Sequence, residues 1–273
     1  MLRVSSRNAR FQQFQALIGN RGKRQRNGEF LVQGVRPITL AAEFGWPFRA
    51  LLYDAERQLS AWARAMLRDV AALQVAMSPA LLADLGEKEA GPPELVAVVE
   101  MPEDDLDRIP AGPGFLGVLL DRPASPGNIG SIIRSADAFG ADGIIVAGHA
   151  ADVYDPRAVR ASTGSLFARP VIRVPSHREV AAWVNAQRGR GGPIVLAGAD
   201  EHGDVDVFDA DLTRPVLLLV GTEATGLSSA WRELCDITVK IPITGAASSL
   251  NAASAATAIL YEVARQRLLA VRP

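Results

Sequence analysis

Residues 241–267, IPITGAASSLNAASAATAILYEVARQR, restrict the fold of this chain more than any other stretch. They begin as the end of an apolar strand (Ile237, Val239, Ile241), halt at Pro242 and turn through Thr244 and Gly245. The pattern then predicts a long helix entered at Ser248 or Ser249, whose hydroxyl would accept from the unpaired N–H groups of the first turn. Such an N-terminus carries partial positive charge and favours a carboxylate, an oxyanion or a phosphate in front of it. Ala252, Ala253, Ser254, Ala255, Ala256 and Ala258 leave one helix face without bulk, while Ile259, Leu260 and Val263 supply an apolar stripe. A backbone, a second subunit or a ligand can approach so small a face closely. A buried structural helix is the plainer alternative.

The rest of the chain repeats the strand–turn–helix theme. In residues 1–100, strands are expected at 30–32, 51–53, 73–76 and 95–99, with helices at 11–18, 38–44, 61–71 and 81–85. This is the pattern of a small α/β domain with a largely parallel sheet. Residues 20–28, NRGKRQRNG, read as a basic loop. Residues 101–113 are rich in acids and proline and read as a linker. A second α/β domain over 114–273 should carry strands at 115–120, 144–146, 194–197 and 216–220, with an apolar run at 170–174. Helices are expected at 131–139, 157–162 and 180–186. Residues 200–211 lack the spacing of a calcium loop and read as solvated acidic surface.

Length and composition set bounds. The 273 residues suffice for one large or two ordinary domains, and 48% hydrophobic residues provide ample core. A formal net charge of −1 gives no sign of nucleic acid, yet Arg7, Arg10, Arg21, Lys23, Arg24 and Arg26 crowd the first residues. Such a cluster is a phosphate-facing surface or a plain solvated face. With one cysteine, Cys235, the chain can form neither an internal disulfide nor a cysteine zinc site. The apolar runs fall short of a membrane span, so a soluble, cytoplasmic protein is expected.

Three strand ends carry unusual residues: Asn128 with Arg134, Gly221 with Glu223, and Ser249 with Asn251. Ligands gather beyond the carboxyl ends of parallel strands, so these loops could converge. Arg134 offers a planar fork for phosphate oxygens. The turn at 221–226 could hold a cofactor through its amides, with Glu223 sheltered inside it. A nicotinamide enzyme is disfavoured. The three-glycine fingerprint is missing, and the strand at 144–146 ends in Ala147 and Gly148 with no acid for a ribose.

Taken in order, PGNIGSIIRSADAFGADGIIV, LLLVGTEATGLS and IPITGAASSLNAASAATAILYEVARQR resemble the motifs of the SpoU (TrmH) family of RNA ribose 2′-O-methyltransferases, in the SPOUT class. Residues 7–37 are similar to that family's N-terminal substrate-binding domain. The resemblance implies a trefoil-knotted catalytic domain, against the general rule of unknotted chains. It implies a ribosomal-protein-like N-terminal domain that binds RNA, and a homodimer packed through the knot. S-adenosylmethionine would be held around Leu196, Ala197, Gly198, Gly221, Ile241 and Leu250, with no metal. Arg134 would bind the phosphate beside the target ribose, Asn128 and Asn251 would orient guanidinium and ribose, Ser249 would hold the helix mouth, and Glu223 would fix the loops. The implied substrate is 23S ribosomal RNA, a modification of a kind that can confer antibiotic resistance. A transfer-RNA methyltransferase and an inactive RNA-binding module are the alternatives.

Overall fold

In the computed structural model, residues 2–86, 92–190 and 193–271 are described, and the chain divides into two compact units. The first comprises Met1–Pro102 and Asp152–Ala168; the second comprises Glu103–Ala151 and Arg169–Pro273.

The first unit runs β1 (Leu2–Val4), α1 (Ala9–Gly19), α2 (Arg21–Asn27), β2 (Glu29–Gln33), α3 (Val35–Glu43), β3 (Phe48–Asp54), α4 (Ala61–Asp69), β4 (Leu73–Met77), α5 (Pro79–Leu85) and β5 (Leu95–Glu100). Its sheet order is β1-β4-β3-β5-β2. The expected parallel character holds for β1, β4 and β3, but β5 runs antiparallel to both β3 and β2. The second unit opens with β6 (Leu116–Asp121), α6 (Pro126–Ala138) and β7 (Gly143–Ala147). After an excursion through α7 (Pro156–Ala161) and α8 (Ser165–Ala168), it resumes with β8 (Val171–Val174), α9 (His177–Gly189), β9 (Val195–Ala199) and β10 (Val205–Asp206). β11 (Val216–Val220), α10 (Ser229–Leu234), β12 (Ile237–Lys240) and α11 (Ala252–Ala270) complete it. The seven strands are all parallel in the order β10-β12-β9-β11-β6-β7-β8. β12 is thus inserted between two strands that precede it in the chain, the kind of threading a knotted path requires.

Local chemistry explains the elements, including those the sequence pattern misplaced. Residues 21–27 form a helix instead of a basic loop. The Asn20 side chain accepts from the Lys23 N–H at 3.0 Å, and Gly28 takes the left-handed conformation (φ 65°) that ends it. α6 starts at Pro126, ahead of the expected Ser131, because Ser125 caps it and proline suits the first helical position. α11 starts at Ala252 with Asn251 as its cap, so neither Ser248 nor Ser249 plays the expected part. β11 is buried along its whole length, as a central parallel strand covered on both faces must be. Each such side chain contributes roughly 1.5–3 kcal/mol of burial. No helix among the described residues is long and apolar enough to cross a membrane.

The excursion departs from the expected boundary at 113. Along β2, Leu31 faces the cluster built on Phe11, Phe14 and Leu17, while Phe30 takes the other side of the pleat. There the Phe30 ring lies 4.6 Å from that of Tyr154 and 6.3 Å from that of Phe167. The Trp46 indole donates to the Phe167 carbonyl at 3.0 Å. Gly164, at φ +100°, lets the chain pass where a Cβ would stand 2.5 Å from Leu40 Cδ1. Arg24, expected on the RNA-facing surface, is 2% exposed. Its guanidinium pairs with Asp152 at 2.7 Å and donates to the carbonyls of Leu17 and Ile18. A charge taken out of water requires such partners, so Arg24 is a structural residue.

Two outcomes follow from this packing. Asp152→Ala strands a buried guanidinium and should cost about 3–5 kcal/mol in urea unfolding. Cys235, whose Sγ donates to the Trp231 carbonyl at 3.2 Å, has its pKa raised to about 11 by burial and then by Asp236 and Asp200. At pH 8 the folded protein should therefore react with iodoacetamide slowly, with only about a thousandth of the thiol ionised, and denaturant should release the reaction.

Candidate active site

Because β6, β11 and β12 are parallel members of one sheet, their carboxyl ends open on one edge of the second unit. The three loops that leave them meet at one carboxylate. Glu223 Oε1 accepts from Asn128 Nδ2 at 2.7 Å and from Asn251 Nδ2 at 2.5 Å. Asn251 Nδ2 also lies 3.3 Å from Asn128 Oδ1. The other end of the Asn251 amide turns into α11, where Oδ1 accepts from the N–H groups of Ala253 and Ser254. One side chain therefore both caps the helix and binds the turn from β11. Glu223 is exposed rather than sheltered, so its hold on the loops comes from charge-assisted hydrogen bonds and not from burial.

The turn itself is tight. Thr222 and Gly226 exchange backbone hydrogen bonds at 3.0 and 2.9 Å. A Cβ on Gly221 would sit 2.1 Å from the Gly226 carbonyl carbon, so only glycine fits. Below the turn, buried Asp121 at the end of β6 accepts from the Ser228 N–H at 2.8 Å. α6 and α11 are joined by the Ser135 and Thr257 hydroxyls, 2.7 Å apart.

Arg134 stands on α6, exposed and without a hydrogen bond or ion pair among the described residues. Six residues of helix place it about 9 Å along the axis from Asn128. Asn128 and Asn251 are bonded to Glu223 and not to this guanidinium, so the expected orienting contact is absent among the described residues.

Beside Glu223 lies a cleft of about 640 Å³. Gly221, Ile241, Ser249 and Leu250 line it. Leu196, Ala197 and Gly198 do not. Leu196 belongs to the core, Ala197 is fully buried, and Gly198 packs where a Cβ would meet Cys235 Sγ at 2.7 Å. The cleft is reached one step further along β9, at Ala199, and then by Asp200, Glu201 and His202. The acidic segment is therefore part of the cleft wall and not solvated surface alone. Asp200 pairs with Arg232 at 3.0 Å, and Thr238 donates to Asp204 at 2.6 Å. Arg232 and Lys240, which also line the cleft, carried no recognisable signal in the sequence. From Ile241 to Leu250 the backbone makes no hydrogen bond to other backbone among the described residues. That leaves a run of donors and acceptors free along one wall.

Comparison with known proteins bears on this arrangement. Residues 8–97 match the SpoU L30e-like domain, and residues 116–261 match the SpoU rRNA methylase family. The 23S rRNA (uridine(2479)-2′-O)-methyltransferase of Streptomyces viridochromogenes is 70% identical over 97% of this chain and 93% of its own. The crystal structure of the SpoU methyltransferase AviRb from the same organism, in complex with the cofactor AdoMet, superposes with a TM-score of 0.93. That match covers 96% of this chain and 99% of the other, at 70% identity. A TrmH/SpoU tRNA modifying enzyme from A. aeolicus matches only 60% of this chain and 81% of its own, at 27% identity and a TM-score of 0.50. With both units matched in order and a relative this similar over nearly its full length, the chain belongs to the SpoU rRNA methylase family.

Proposed function

We propose that this protein transfers the methyl group of S-adenosylmethionine to a ribose 2′-hydroxyl of 23S ribosomal RNA, in the cytoplasm. The observation that carries the reading is the junction of Asn128, Glu223 and Asn251 beside the cleft, which joins three separate strand ends at one point. A uridine, as in the Streptomyces viridochromogenes relative, is the expected target. The transfer-RNA relative matches a smaller share of the chain, which favours ribosomal RNA as substrate.

The cleft suits the cofactor. Its volume lies in the range of small-molecule sites, Val220, Ile241 and Ile259 give apolar walls, and the unpaired backbone of 241–250 offers hydrogen bonds to a base and an amino-acid group. Gly221, Ile241 and Leu250 would hold it, with Ala199 and Asp200 taking the place first expected of Leu196, Ala197 and Gly198. S-Adenosylmethionine supplies an electrophilic methyl group at its sulfonium. The remainder falls to positioning by the chain. Arg134, free of protein partners among the described residues, binds the phosphate next to the target ribose and stabilises the oxygen as it loses its proton. A guanidinium holds its proton and is a poor base, so the ribose proton passes to a phosphate oxygen or to water. Glu223 keeps Asn128 and Asn251 fixed, and Ser249 shapes the approach.

The protein acts as a homodimer through the outer face of α6 and α11. Tyr261, which packs edge-on against Phe139, is 58% exposed, and Leu268 is 67% exposed. Such side chains are better covered by a second copy than by water. In the first unit, exposed Arg10, Arg21, Lys23 and Arg26 contact RNA, while Arg24 is excluded by burial and Arg7 pairs with Asp84 at 2.6 Å.

Labelled S-adenosylmethionine should mark the ribosomal pool when ribosomal and transfer RNA are offered separately, and ribose mapping should find one 23S position. Methylation confined to transfer RNA would refute the substrate. Arg134→Ala should lower the rate by at least about a hundredfold, with cofactor affinity retained in calorimetry. Tyr261→Asp combined with Leu268→Asp should shift sedimentation velocity from dimer to monomer.

A further inference from the structure

The hydroxyl pair that joins α6 to α11 belongs to a longer circuit. Thr257 Oγ1 donates to the Ala253 carbonyl, one turn back, at 2.7 Å. A threonine hydroxyl carries one proton, so in the 2.7 Å contact between the two hydroxyls Ser135 Oγ is the donor and Thr257 Oγ1 the acceptor. The N–H of Ala253 donates to Asn251 Oδ1 at 2.9 Å, and Asn251 Nδ2 donates to Glu223. Glu223 also accepts from Asn128 in the first turn of α6, so the circuit closes on the helix where it began. α6 and α11 are therefore tied at two levels: at their mouths through Glu223, and further along by Ser135 and Thr257. The ties on α6 are seven residues apart, which is two turns less about 20°, so Asn128 and Ser135 share one face of the helix. Both hydroxyls are half-buried, where water would satisfy them equally well, so their pairing is not forced by desolvation.

We propose that the hydrogen bond between Ser135 and Thr257 sets the roll of α6 about its axis and so aims Arg134 at the reacting ribose, which makes the two hydroxyls positioning residues for methyl transfer. This rests on the transferase reading and on the part Arg134 plays in it. Arg134 is the residue before Ser135 and leaves the helix about 100° round from the tied face. Its guanidinium has no partner among the described residues, so its direction follows from the orientation of the helix alone. A tie at the mouth leaves a helix free to turn; a second tie on the same face removes that freedom. A roll of about 10° carries a side-chain tip some 6 Å from the helix axis through about 1 Å. Displacements of about that size can cost about a hundredfold in rate when they originate away from the reacting atoms.

The test is turnover of the full-length protein with labelled S-adenosylmethionine and ribosomal RNA. Thr257→Val keeps the branched shape and removes the hydroxyl; it should lower kcat about tenfold and leave KM for RNA within about twofold. Thr257→Ser should restore the rate. Ser135→Ala should lose as much as Thr257→Val, and the two together no more than either alone. Calorimetry should find S-adenosylmethionine bound as tightly by every variant. The decisive arm is the Arg134→Ala background, where Thr257→Val should change the residual rate by less than about twofold, because the side chain it aims is gone. A tenfold loss in both backgrounds, or full kcat in Thr257→Val alone, overturns the tie and leaves the transferase reading standing. Loss of cofactor binding in Thr257→Val and Ser135→Ala alike also overturns it, since the hydroxyls would then be holding the fold. Native turnover by Arg134→Ala, or no methylation by the unaltered protein, removes the reading and the tie with it.

Discussion

A single carboxylate holds three strand ends of the second unit together. Glu223 receives two amide donors that arrive from helices starting 126 residues apart in sequence, at Pro126 and Ala252. Sheet pairing brings the strand ends near one another, but hydrogen bonds between backbones end where the strands end. The last few ångströms are closed by side chains. Because Asn251 spends its oxygen on the first turn of α11, any movement of the Glu223 turn is felt at the helix mouth. Placement of the helix and placement of the turn are consequently one variable and not two.

Beneath that junction the structure relies on groups that tolerate no substitution in kind. Gly221 allows the turn to fold back on itself, and Asp121, buried at the end of β6, fixes its far side through the Ser228 N–H. Arg267, near the other end of α11, donates to the carbonyls of Gly114, Phe115 and Arg214, which tie the helix to the starts of β6 and β11. α11 is thus fastened at both ends to the same pair of strands. Its middle, Ile259, Leu260 and Val263, is free to serve as core.

Much of this was legible in the sequence, and the failures have a common form. Apolar runs such as residues 216–220 report burial directly, so most strands fell where periodicity put them. Asn128, Glu223 and Asn251 stood out because polar residues at strand ends have few structural duties. Arg24 was misread because charge on a page carries no direction, and its partner Asp152 is 128 residues away. The start of α11 was misplaced because serine and asparagine compete equally as caps, and only the Glu223 contact decides for Asn251. Leu196, Ala197 and Gly198 were placed at the cleft because the apolar run of β9 lies there, whereas the lining of the cleft begins one step later, at Ala199.

The loan of Asp152–Ala168 to the first unit has a consequence for how such a protein can have arisen and can be rearranged. A linear map with a proline-rich joint near residue 110 suggests interchangeable modules. The chain does not obey it: Phe30 and Arg24 find their neighbours in a stretch encoded after the catalytic part has begun. Recombination at the joint would deliver one fragment with an unfilled face and another with an ownerless loop. The two halves of the gene are therefore expected to be inherited together, and a graft of either onto a foreign scaffold must carry this piece with it.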